Sequence, residues 1–151
     1  MLHRYFADFD DFLAALVLDR AAWQEVASAA LMGAAGTGSV TGNLAEALRS
    51  LLSPVAVGVV ALITFRDELR ARLRETWPTG LPLLAEAGRT ILAYLEAERA
   101  AGRVAAEADT RSLALSLVGS GHLLFADRTG QPPAPEAVRA LVEGILEAVT
   151  R

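Results

Sequence analysis

Apolar residues recur at helical spacing from one end of the chain to the other, and no stretch sustains the period-two alternation of a half-buried strand. The clearest stripe is the last, with Val138, Leu141, Val142, Ile145, Leu146 and Val149. Near the other end, Phe12, Leu16, Trp23, Ala27 and Ala30 follow one another at steps of three, four or seven. Composition agrees: Ala at 30 and Leu at 24 outweigh the 15 Val and Ile, and unbranched side chains lose little rotamer freedom on a helix. The fold class expected is all-α, with about seven helices, no β-sheet and no repeat of fixed period. At 151 residues, one domain with a real core is the natural outcome.

Local signals place the helices. Asp8 precedes the first, residues 9–32, and Asp10 and Asp11 put negative charge in its first turn. The glycines at 33, 36 and 38 break it. Asn43 with Glu46 forms an approximate capping box ahead of Leu44, Leu48, Leu51 and Leu52. Ser53-Pro54 restarts the chain, since Ser caps and Pro suits the first helical position. Residues 55–65 are apolar on all sides and residues 66–75 strongly charged, which predicts a break near 64–67. A helix over 81–101 is closed by Gly102, and Asp109 caps another over 110–127 whose middle, residues 113–126, is uncharged. Residues 130–135 read as a linker before a last helix at 136–150.

The net charge of −4 gives no global cationic field, which argues against sequence-independent nucleic-acid binding. With no cysteine there is no disulfide, thiolate nucleophile or Cys-ligated metal. No signal layout opens the chain and no apolar run is long enough to cross a bilayer, so a cytoplasmic protein without membrane partner is expected. His3 and His122 are the two imidazoles, in no metal-ligating spacing. Ser120 in Val-Gly-Ser-Gly-His is not a nucleophile elbow, and His122 two positions on points to another helix face. No catalytic residue, metal or cofactor is expected, and an enzyme is the least favoured class.

His122 stands in an uncharged helix and suits either a core or interface position or a ligand contact. Tyr94 and Thr64 are polar tips on apolar faces, fit for an internal hydrogen bond or for orienting a small molecule. Ser112, Ser116 and Ser120, with Gly119 and Gly121, allow close helix approach. An uncharged helix needs cover, which the bundle of one chain could give, or more naturally a homodimer through Leu113, Leu117, Ser120, Leu124, Leu141, Ile145 and Val149.

The opening residues Leu2-His3-Arg4-Tyr5-Phe6-Ala7-Asp8-Phe9-Asp10-Asp11-Phe12-Leu13 resemble the Leu-Tyr-x-His-Phe-x-Ser/Asn-Lys-Glu-x-Leu-Leu signature of TetR-family transcriptional regulators. Tyr94-Leu95, Gly102 and Asp109 before an apolar helix are similar to the approach to that family's dimerisation helices. The departures are as specific as the matches: His3 stands where Tyr is usual, and Phe9 where the family commonly has a Lys that meets DNA phosphate. The resemblance implies that residues 1–8 are the end of a recognition helix, with His3 and Tyr5 its DNA-binding remnant. It implies that residues 9–151 form an effector-binding and dimerising domain, and that operator DNA is a partner only if the missing N-terminal helices are present. A pocket for a small hydrophobic or aromatic effector would be bordered by Trp23, Leu48, Leu62, Phe65, Ile91, Tyr94 and His122. The alternative is a helical small-molecule-binding protein that does not bind DNA.

Overall fold

Asp8, in extended backbone, accepts a hydrogen bond from the Asp11 amide (2.8 Å) and so opens α1 (Phe9–Gly33). The computed structural model describes residues 8–127 and 131–150. The order continues α2 (Val40–Leu51), α3 (Pro54–Phe65), α4 (Asp67–Leu73), α5 (Leu84–Ala100), α6 (Thr110–Ala126) and α7 (Pro135–Leu146). The fold is all-α, with seven helices and no strand among the described residues.

Most punctuation acts as its chemistry dictates. Ser53 caps α3 with Pro54 at its first position, and Asp109 caps α6 by accepting from the Ser112 amide (3.1 Å). The chain breaks at Arg66, between the apolar α3 and the charged α4. Gly102, at φ +75°, follows α5. Three boundaries differ from expectation. Ser39, not Asn43, caps α2, accepting from the Gly42 amide (3.0 Å). Asn43 is drawn inward instead, donating to Ala34 O, Thr37 O and the Tyr94 hydroxyl. α5 starts at Leu84 rather than 81, because Pro82 and the positive φ of Leu83 (+72°) precede it. α7 takes Pro135 as its first residue and ends at Leu146; Val149 and Thr150 instead meet Val104 and Ala105.

Two apolar clusters hold the helices. The larger joins Leu44, Leu48 and Leu52 of the α2 region to Ile91 and Leu95 of α5, Leu117 of α6, and Val138, Val142 and Leu146 of α7. α6 passes α2 closely at Gly121, where an added Cβ would lie 2.8 Å from Leu52 Cδ1. The smaller joins Leu13 and Val17 of α1 to Val59, Val60 and Ile63 of α3, with Leu69, Leu73 and Leu83. Charged groups close its outer end: Arg66 Nε and Nη2 donate to the buried Asp10 (2.9 and 2.6 Å), and Arg72 pairs with Asp8 and Asp11. The Asp8 carboxyl lies below its ordinary range, chiefly through the Arg72 hydrogen bond.

Candidate functional site

α1 faces inward through Leu13, Val17, Gln24 and Leu31, one residue out of phase with the stripe through Phe12, Leu16, Trp23, Ala27 and Ala30. One residue is a rotation of about 100°. The correction has a physical cause: alanines and other apolar residues cover most of this helix, so sequence periodicity fixes its phase poorly. Its consequence is that Trp23 and Val26 are 62% and 64% exposed.

These side chains form one wall of a half-open cleft of about 410 Å³ between α1 and the corner joining α2 to α3. α1 supplies Arg20, Trp23, Gln24, Val26, Ala27 and Ala30, and the corner supplies Ser50, Leu51, Ser53 and Ala56. The volume falls within the range of small-molecule sites. The Arg20 guanidinium lies 5.5 Å from the Trp23 ring centroid and pairs with its neighbour Asp19 (2.6 Å).

Gln24 is 5% exposed and ties three helices together. Its Nε2 donates to Leu51 O at the end of α2 (3.3 Å) and to Leu83 O ahead of α5 (3.1 Å). A flipped amide would set Oε1 against both carbonyl oxygens, so the orientation is fixed and Oε1 stays buried without a partner. Sequence reasoning missed Gln24. The available signal was a polar residue seven positions from both Val17 and Leu31.

The seven residues expected around an enclosed pocket are not brought together. Leu48, Ile91 and Tyr94 are fully buried in the larger core, where they pack with the chain's own side chains. Leu62 and Phe65 face outward from α3, Phe65 at 86% exposure. His122 is half-buried on α6, and its Nδ1 has no partner. Of the seven, Trp23 lines the α1 cleft.

Tyr94 is committed to an internal network. Asn43 Nδ2 donates to its hydroxyl (2.9 Å), and the hydroxyl also engages the buried Glu98. Burial, foremost, pushes the Tyr94 pKa up to about 12; Glu98 adds to the rise and the Asn43 hydrogen bond opposes it. Glu98 Oε1 accepts from the Gly36 amide (3.1 Å), and Arg103 Nε lies 3.0 Å from Glu98 Oε2. Arg103 Nη2 also donates to Thr37 O and Gly38 O. The glycine-rich segment that breaks the chain between α1 and α2 is thereby pinned to α5.

The residues expected at a dimer face divide. Leu117 is fully buried in its own core, and Leu113, Leu124, Ile145 and Val149 are half-buried against it. Ser120 and Leu141 are half-buried too. α6 turns a different line outward: Ser112, Leu115, Ser116, Gly119 and Leu123, with Leu115 and Leu123 at 75% and 71% exposure. No charge interrupts residues 112–126. His3 and Tyr5 lie outside the described residues.

Among the described residues no group of three His, Asp or Glu side chains is placed to hold a metal ion, and no single helix is long and apolar enough to cross a membrane. Comparison of the chain with family models, with curated proteins and with solved structures returns no match.

Proposed function

We propose that this chain is the effector-binding and dimerising part of a TetR-like transcriptional regulator, acting as a repressor released by a small hydrophobic or aromatic molecule. The observation that carries the proposal is the cleft on α1, because the family resemblance gives that long helix the task of joining a DNA-binding head to an effector site. A ligand seated between Trp23 and the α2–α3 corner touches both sides of a helix junction. If it fits one position of α1 better than another, it shifts the population toward that position, by no more than its difference in affinity. In a dimer, tilting two such helices changes the spacing of the heads they carry. Operator DNA enters this reading only through the helix-turn-helix that the resemblance places ahead of α1.

The dimer contact in this reading is the uncharged outward line of α6, flanked by α7, whose exposed Ala140 and Gly144 permit close approach. Two antiparallel helices from each subunit make a four-helix bundle.

Thermal melting with a panel of lipophilic and aromatic compounds tests the effector site. A ligand that binds only the folded chain raises Tm, and Trp23→Ala is expected to abolish the rise. A panel that leaves Tm unmoved would refute this part of the proposal. Sedimentation tests the other part: the chain is expected to be dimeric at tens of micromolar and Leu123→Arg monomeric. A wild-type monomer removes the dimer.

A further inference from the structure

We infer that the α1 cleft takes an apolar carboxylic acid, with Arg20 meeting the carboxylate and Trp23 covering the apolar body; the inference rests on the effector-binding reading and gives its ligand a chemistry. Arg20 is the one charged side chain in the lining, and no carboxylate accompanies it there. A cationic ligand would find no counter-charge, whereas an anion finds a guanidinium on the same wall as an exposed indole.

The hydrogen bonding of Arg20 supports the assignment independently. Both Nε (3.1 Å) and Nη2 (2.6 Å) donate to a single oxygen, Asp19 Oδ2, and Nη1 has no partner among the described residues. A guanidinium carries five N–H donors, so more than half of this one's capacity is unspent. Asp19 lies outside the lining and its side chain is 59% exposed, so water and salt screen the pair and it contributes little. A ligand carboxylate inside the cleft is better shielded, and charge-assisted hydrogen bonds to it are correspondingly stronger.

The apolar part follows from the remaining walls. Trp23, Val26 and Ala30 are exposed and Ala27 half-buried, so the α1 wall supplies the apolar surface; in the opposite wall Leu51 and Ala56 are buried, and Ser50 and Ser53 bring neutral hydroxyls. Covering that surface is favourable for any apolar body. A neutral body, however, also strips water from the guanidinium and gives nothing back, and that cost discriminates against it. Gln24 does not relieve it, because its Nε2 is already given to two backbone carbonyls.

Isothermal titration calorimetry with 2-naphthoate and its neutral counterpart 2-naphthamide tests the inference on the intact chain. Naphthoate is expected to bind about tenfold tighter or more at low salt, an advantage that added sodium chloride diminishes. Arg20→Gln, with Tm checked for an intact fold, is expected to make the two ligands bind alike. Asp19→Asn, which frees the guanidinium, is expected to tighten naphthoate and leave naphthamide unchanged. Equal binding of both ligands by the wild-type chain, or a preference that survives Arg20→Gln, overturns the inference while leaving an effector site standing. Binding of neither ligand at millimolar concentration overturns the inference; an unmoved Tm across the wider panel takes the effector site with it.

Discussion

The C-terminal end of α1 and its middle border regions built on opposite principles. Around its C-terminal end, the Asn43, Tyr94, Glu98 and Arg103 side chains turn toward one another and the backbone of residues 34–38, with Glu98 Oε2 making no hydrogen bond but lying 3.0 Å from Arg103 Nε, beside a core with Leu48 and Ile91 fully buried. Around its middle, Trp23 and Val26 face solvent, Arg20 leaves donors unused and Gln24 buries an oxygen without a partner. A buried network whose members are tied to one another specifies one arrangement, whereas unspent donors beside exposed apolar surface are what a ligand completes. That contrast says where to look for function: the residues that look most like a polar site, Tyr94 and Glu98, are held in the fold's own network, and the cleft lies in the less finished region.

Truncation of the core should give the largest effect. Leu48→Ala removes a fully buried side chain from the interface of α2 with Gly121 of α6 and is expected to cost about 3 kcal/mol in chemical denaturation. A loss below about 1 kcal/mol would mean that this half is no better packed than the cleft.

Alkaline unfolding gives the next effect. The Tyr94 pKa is raised from 10.0 to about 12, so the folded state holds its proton more tightly than the unfolded state. The contribution is fully present below pH 10, falls as pH rises, and is lost as pH passes through about 12. About 2–3 kcal/mol is at stake. Tyr94→Phe is expected to flatten this part of the stability profile, and an unchanged slope would show that the hydroxyl is not held as described.

Trp23→Ala gives the smallest effect, under about 1 kcal/mol, because the ring is mostly exposed and loses little beyond the Arg20 stacking. A cost comparable to that of Leu48→Ala would erase the contrast, showing that the cleft wall belongs to the core in solution.

Helix identity was legible because caps act within a few residues of themselves. Asp8, Ser53-Pro54, Asp109 and Gly102 each did what their local chemistry requires. Asn43 misled for the same reason: its sequence context suits a cap, but the buried Tyr94 hydroxyl offered a partner 51 residues away that local reasoning could not see. Pocket residues were the least legible. Tyr94 and Trp23 looked alike as aromatic candidates, and packing sent one to the core and left the other in solvent.

An all-α chain, its helix order and most of its breaks follow directly from the residues, because helical periodicity, capping and proline geometry are short-range properties. Which side of α1 and α6 turns inward is set by long-range packing instead. Both helices are apolar around most of their circumference, so several rotations bury similar area, and the choice falls to close packing at points such as Gly121 and to long-range hydrogen bonds such as those of Gln24.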